Sequence, residues 1–352
     1  MKPRLVAVLV FLVASAAALA SATSLFSTER PTRQAHDSAG ASAGSLNEAG
    51  VHVDAASSPS TLQSLNATPK ASPEASPRAG LDKDAADASL KRDGRIARPR
   101  LKSASYVVIN ANTGEVVLEK DAEKPRSIAS ITKLMSAMVY LDMDPDLDED
   151  ITVTAADRRG ARPAPSRLYK GWTFTARDLL YAGLMASENP AIEALARSTG
   201  LTRPEFVGMM NRKAQSLGMT HTIFFDATGL DAANTASPLD VVTMLEAASR
   251  YPLIATITTT KEYRIKEVKT GRWIQLANTD RLLGSERWKV IAGKTGYISE
   301  AGYCLALNAH PETEDPLLMV FLGAPGRLTR FGDAVRVLKW VSEDKSEAAD
   351  RL

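Results

Sequence analysis

Beyond residue 100 the hydrophobic period of the chain changes twice, and the order of those changes constrains the fold more than any single motif. Ser105–Asn110 and residues 115–119 (Glu-Val-Val-Leu-Glu) are β-type runs joined across Asn112-Thr113-Gly114, which predicts a hairpin. From residue 130 to 250 the pattern is helical. Residues 130–142 place Ile131, Leu134, Met135, Met138, Val139 and Leu141 around more than one face, as expected of a largely buried helix. Further helices are predicted at 175–187, 190–198, 203–217 and 237–250, the last with Ser237 as N-cap and Pro238 at its first position. After Pro252 a strand pattern returns at 262–268, Trp273–Ala277, 288–292, 303–308 and 317–322, and an amphipathic helix follows at 328–341. This order predicts an α+β fold, an antiparallel sheet flanked by helices with a helical subdomain.

The first hundred residues read differently. Residues 1–22 carry Lys2 and Arg4, an apolar run from Leu5 to Leu19, and Ala18-Leu19-Ala20 as a cleavage signature, which together predict a secretory signal peptide. A retained membrane anchor is the alternative, but a span needs about 20 apolar residues and this run is shorter. Residues 23–100 are rich in Ala, Ser, Asp and Pro without a periodic apolar face, and are expected to form a disordered tether. The expected layout is therefore signal peptide 1–22, tether 23–100, folded domain 101–345 and tail 346–352, with the folded part exported to the periplasm.

Composition excludes several function classes. A net charge of +2 and the lack of a long basic block give no case for nucleic acid. The single Cys304 cannot form an internal disulfide, and its run Tyr303-Cys304-Leu305-Ala306-Leu307 predicts a buried, inert thiol. The folded part has only His221 and His310, neither in a catalytic context, and no metal-ligand spacing occurs, so neither a metal nor a cofactor is expected.

Three short motifs follow in order: Ser130-Ile131-Thr132-Lys133, Ser187-Glu188-Asn189 and Lys294-Thr295-Gly296. Each is weak alone, because the chain repeats them at Ser342 to Lys345, at Ser45 and Ser64, and at Lys269-Thr270-Gly271. Context separates the copies. Ser342 lies in a polar tail, Ser45 and Ser64 lie in the tether, and Lys269-Thr270-Gly271 reads as a hairpin turn with Gly271 supplying the positive φ. Lys294 instead ends the apolar strand Val290-Ile291-Ala292, with Gly293 and Gly296 beside it to admit a substrate backbone. Residues three apart on a helix share a face, so Lys133 Nζ can reach Ser130 Oγ. A free lysine has a pKa of about 10.4 and must be desolvated or set beside another cation to act as a base, and Lys294 is the available cation.

The ordered triple resembles the penicillin-binding protein and β-lactamase superfamily. Residues 126–135, Leu184-Met185-Ala186-Ser187-Glu188-Asn189, Asp226-Ala227-Thr228-Gly229-Leu230, Asn278-Thr279-Asp280 and Ala301-Gly302-Tyr303-Cys304 look similar to the low-molecular-weight D-alanyl-D-alanine peptidases, peptidase S11. The resemblance implies the transpeptidase-like fold and an acyl-enzyme at Ser130, with Lys133 as base. It further implies that Ser187 relays a proton to the leaving amine, and that Asn189 holds Lys133 and the substrate amide. Lys294 and Thr295 would bind the carboxylate end of the substrate, and the N–H groups of Ser130 and Tyr297 would form the oxyanion hole beside Gly296. Peptidoglycan stem peptides are the implied substrate, β-lactams the implied inhibitors, and peripheral membrane or wall association is an implied possibility.

Within that chemistry the chain resembles the soluble D-alanyl-D-alanine endopeptidases more than the carboxypeptidases, many of which carry a second β-rich domain and a C-terminal anchor. Only residues 342–352 follow the predicted closing helix. A β-lactamase would need a deacylating Glu-x-x-Leu-Asn loop, and none lies between Asn189 and Lys294. A non-catalytic wall-binding scaffold is the reading from outside enzymology.

Overall fold

The computed structural model describes residues 91–92, 95–158, 165–310 and 315–349. The signal peptide, all but the end of the tether, and residues 350–352 lie outside them, as do the decoys Ser45 and Ser64. Among the described residues, the helical block comprises α1 (Lys133–Leu141), α2 (Ala176–Leu184), α3 (Asn189–Ser198), α4 (Arg203–Ser216), α5 (Pro238–Ser249) and α6 (Pro252–Thr259). Most of these helices declare their starts in sequence. Thr175, Thr202 and Ser237 each accept the N–H three residues on, and Thr202 with Glu205 forms a capping box.

The main sheet uses β1 (Ser105–Asn110) and β2 (Val116–Lys120) with β7 (Lys289–Ile298), β8 (Gly302–His310) and β9 (Leu317–Ala324), in the order β7-β8-β9-β1-β2 and antiparallel throughout. Between them in sequence lie the short ladder β3 (Asp150–Thr152) with β4 (Thr173–Thr175), and the hairpin β5 (Glu262–Lys266) with β6 (Trp273–Ala277). Side-chain alternation builds a core on each face of the sheet. Along β8, Cys304 and Ala306 face the helical block, whereas Leu305 and Leu307 pack with Phe331, Val337 and Leu338 of α7 (Thr329–Ala349). Burial on the first face pushes the Cys304 thiol up to about 11.

Several features differ from the sequence expectations or were left unassigned by them, and they bear on the site or its frame. Ser130 lies in a 3₁₀ turn, Ala129–Thr132, that precedes α1, and not in the α-helix itself. β7 continues through the Lys-Thr-Gly triplet to Ile298, so Lys294 stands mid-strand instead of at a strand end. Residues 252–259 form α6, although their β-branched content favours a strand. Pro252 at the first position starts the helix, and Thr256 and Thr259 return hydroxyl bonds to carbonyls four residues back. His310 is the last residue of β8. Helix α7 runs to Ala349, into the stretch expected as tail, and its Ser342 hydroxyl donates to the Leu338 carbonyl at 2.9 Å.

Candidate active site

The 3₁₀ turn brings Ser130 and Lys133 into register, because residues three apart eclipse in such a turn. Lys133 Nζ lies 2.8 Å from Ser130 Oγ and donates to the Thr228 carbonyl at 2.6 Å. The turn starts from Ala129 at φ +49°, a conformation that costs an alanine energy and persists only where neighbours enforce it. Two glycines supply that enforcement. A Cβ on Gly229 would stand 1.9 Å from the Ala129 carbonyl oxygen, and one on Gly296 would stand 2.7 Å from the Ile128 oxygen and 3.2 Å from Ser130 N. The 226–231 loop and strand β7 therefore clamp the serine turn from two sides.

The loop that holds Lys133 is organised by its own acid. The Asp226 carboxylate accepts the N–H groups of Thr228, Gly229 and Asp231. Asn234 donates to the Asp226 carbonyl and to Thr132 Oγ1, tying the loop to the serine turn. Lys133 is fully buried, and burial lowers its pKa to about 7 against the opposing pull of Asp226, Glu193 and Glu188. Desolvation, the first of the two routes the sequence left open, is the main cause of the shift.

Ser187 sits between α2 and α3 at φ +62°. Glu188 N–H donates to the Ala182 carbonyl, and the buried Glu188 carboxylate takes the Arg167 Nε at 3.0 Å, which fixes the bend. Arg167 also reaches the Gln275 carbonyl on β6. From β7, Lys294 Nζ donates to Ser187 Oγ and to the Thr295 carbonyl, both at 3.1 Å. Lys294 is also buried. Burial first, then the charges of Lys133 and Arg330, hold its pKa well below the usual lysine value, while Asp280 opposes them. Thr295 Oγ1 donates to Thr279 Oγ1 at 2.7 Å, and Thr279 N–H donates to the Met185 carbonyl just before Ser187.

Asn189 opens α3, but its Oδ1 is buried with no hydrogen-bond partner, so the bond to Lys133 implied by resemblance is not formed there. Tyr297 is 52% exposed and stacks on Tyr303 with ring centroids 4.2 Å apart. Two buried groups escaped the sequence reading as members of the site. Arg330, on α7, donates through Nη1 to the carbonyls of Gly296 and Cys304 at 2.7 and 3.0 Å, and so pins β7 to β8. Its signal was weak, since an arginine on an amphipathic helix ordinarily faces solvent. Asp280 closes the Asn278-Thr279-Asp280 segment; burial pushes its carboxyl up to about 6, while the Leu282 N–H, Arg330 and Lys294 draw it down.

The repeated motifs fall elsewhere. Lys269-Thr270-Gly271 turns the β5–β6 hairpin, where the Glu267 carboxylate takes the Thr270 N–H and hydroxyl. His221 is exposed and gives its backbone N–H to Asp240. What converges is a serine hydroxyl beside a buried amine of lowered pKa, with a second buried amine and a second serine across from it. That constellation suits acyl transfer through a serine ester.

Comparison with known proteins agrees. A D-alanyl-D-alanine carboxypeptidase family model matches residues 93–326. The D-alanyl-D-alanine endopeptidase of Pseudomonas aeruginosa is 35% identical over 248 residues, which span 70% of this chain and 80% of that protein. The D-alanyl-D-alanine endopeptidase of Escherichia coli is 33% identical over 249 residues, 71% and 80% of the two chains. The crystal structure of the Streptomyces K15 DD-transpeptidase superposes with a TM-score of 0.65 at 31% identity, covering 70% of this chain and 98% of that one.

Proposed function

The chain belongs to the D-alanyl-D-alanine carboxypeptidase family, peptidase S11, and from that premise we propose that it is a serine endopeptidase cutting the D-alanyl cross-links of peptidoglycan. The observation that carries the proposal is the 2.8 Å contact between Ser130 Oγ and a buried Lys133 of pKa about 7. In this reading Lys133, as the neutral amine, takes the Ser130 proton while Oγ attacks the D-Ala carbonyl. The oxyanion forms against the N–H groups of Ser130 and Tyr297. As the intermediate collapses the C–N bond breaks, and the proton returns through Ser187 to the leaving amine. Water then attacks the ester, releasing the shortened peptide acid and restoring the Ser130 hydroxyl.

The remaining residues position the substrate. Lys294 and Thr295 receive the carboxylate on the leaving side, with Gly296 leaving room for the peptide against β7. Asn189, with Oδ1 unpartnered in its burial, is suited to take the substrate amide N–H. β-Lactams acylate the same serine. The endopeptidase relatives support endopeptidase over carboxypeptidase. Cross-linked dimeric muropeptides offered beside monomeric pentapeptides test the choice: release of monomers is expected, and free D-Ala from pentapeptide alone would overturn it. A scaffold would turn over neither.

The domain is placed outside the cytoplasmic membrane, in the periplasm, delivered by residues 1–22 and tethered to membrane or wall by residues 23–100. No described helix is long and apolar enough to cross a membrane. Fractionation of cells, with N-terminal sequencing of the mature protein, tests this placement and the cleavage of the signal.

A further inference from the structure

Between β6 and β7 the chain passes through Asn278-Thr279-Asp280, a segment to which serine acyl transfer assigns no step. Its backbone is fixed by bonds that do not involve the Thr279 side chain. Asn278 N–H donates to the Lys261 carbonyl at 2.8 Å, and its side-chain amide donates to the carbonyls of Thr258 and Thr260 at 3.0 and 2.9 Å. Thr279 N–H donates to the Met185 carbonyl at 3.1 Å, and Asp280 N–H to Asn278 Oδ1 at 2.9 Å. The loop is held without the Thr279 hydroxyl.

Among the described residues that hydroxyl meets two groups. It accepts the hydrogen of Thr295 Oγ1 at 2.7 Å, while its own hydrogen points to the Met185 carbonyl at 3.5 Å, too long for a strong bond. A hydroxyl carries one hydrogen and two acceptor lone pairs, and it can rotate. The Thr295 hydrogen is therefore committed to Thr279, and the Thr279 hydrogen is loosely held. A carboxylate accepts and cannot donate, so Thr295 must turn its hydrogen to receive one. In a buried place that turn would set two hydroxyl oxygens against each other, unless Thr279 turns as well and donates.

We infer that Thr279 is a positioning residue for carboxylate recognition: the two hydroxyls reverse together, Thr279 donating to Thr295 and Thr295 to the carboxylate on the leaving side of the substrate. The inference rests on the peptidase reading and names a residue that reading leaves idle. Donation into the Thr295 oxygen polarises its O–H, so the pair holds a carboxylate more strongly than Thr295 alone. Thr279 touches no reacting atom and acts only through Thr295. Because the carboxylate departs with the leaving group, the gain belongs to acylation and not to hydrolysis of the ester.

Two probes offered to the full-length protein decide this: an acylated D-alanyl thioester of thioglycolate, whose leaving group ends in a carboxylate, and the methyl ester of the same compound. Wild type is expected to favour the carboxylate probe at least about tenfold in kcat/KM, as a hydrogen bond to a charged group is lost in the ester. Thr279→Val, which keeps the side-chain shape and removes the hydroxyl, should lower kcat/KM on the carboxylate probe about fivefold, the worth of one hydrogen bond, and leave the methyl ester unchanged. Thr279→Ser should restore the carboxylate probe to within about twofold of wild type. Equal loss on both probes in Thr279→Val would mark a structural role and overturn the inference. So would no loss on the carboxylate probe, a Ser variant as slow as the Val variant, or a wild type that treats the probes alike. Each of those outcomes leaves the peptidase reading standing. A wild type acylated by neither probe overturns that reading, and the role of Thr279 with it.

Discussion

Lys294-Thr295-Gly296 and Lys269-Thr270-Gly271 are the same three residues in two surroundings. The first lies mid-strand in β7, with its lysine buried and bonded to Ser187 and its glycine pressed against the serine turn. The second turns an exposed hairpin, where Thr270 bonds within the turn, to Glu267 and the Arg272 N–H, and a Cβ on Gly271 would meet nothing nearer than Lys266 Cε at 3.7 Å. The two Ser-x-x-Lys copies differ in the same way, Ser130 facing a buried amine and Ser342 bonding its own helix. Reactivity comes from desolvation and from what long-range packing places opposite, since the residue types are shared.

That contrast can be broken at each pair. The largest effect is expected at the serines: Ser130→Ala should lose acylation by labelled penicillin by at least about a thousandfold, while Ser342→Ala labels as wild type and both keep their thermal midpoints. An S130A protein that still labels would falsify the nucleophile assignment. Next, Lys294→Met should slow acylation roughly a hundredfold or more through loss of the buried amine at the carboxylate end, against no change for Lys269→Met; equal losses would show that the hairpin copy also serves the site. Gly296→Ala should slow acylation and cost about 1–3 kcal/mol, because the strand must retreat from Ile128 and Ser130. Gly271→Ala should cost only about 1 kcal/mol, from its φ of +71°, and leave acylation untouched. Thermal unfolding beside stopped-flow acylation separates the two.

The smallest effect is in pH. Lys133 acts as a base only when neutral, so acylation should fall along an acid limb centred near 7 as the amine gains its proton. A limb still flat well below 7 would remove Lys133 from the role. The same shift has a sign in stability. Between about 7 and the unfolded lysine value of about 10.4 the unfolded chain binds the extra proton, so this group's contribution to stability rises with pH across that window. Lys133→Met should flatten both dependences.

Much of the frame was legible because its signals are local. Ser237-Pro238 announced α5, Asn112-Thr113-Gly114 announced the first hairpin, and apolar, β-type runs marked β1 and β9. Residues 252–259 went unassigned because their β-branched side chains favour strands, whereas an N-terminal proline and back-bonded threonines stabilise the helix that forms. Strand β7 read as ending at Ala292 because Gly293 and Gly296 lower strand propensity, yet both are required there by close packing of neighbours. Arg330 and Asp280 were given no site role from sequence, although Asp280 lies in a segment that carries the resemblance, since a buried charge is recognised only from its surroundings.

What the sequence determined by itself is the α+β order, the caps and turns, and the set of residue types able to do serine acyl transfer, because those are properties of a few neighbouring residues. Sequence context already favoured Ser130, Lys133 and Lys294 over their copies, but how these groups meet, and in what surroundings, was decided only by the tertiary structure. Separations such as Lys133 to Thr228 and Ser187 to Lys294 close only when the helical block packs on the sheet, and only that packing removes the water that would hold a lysine charged.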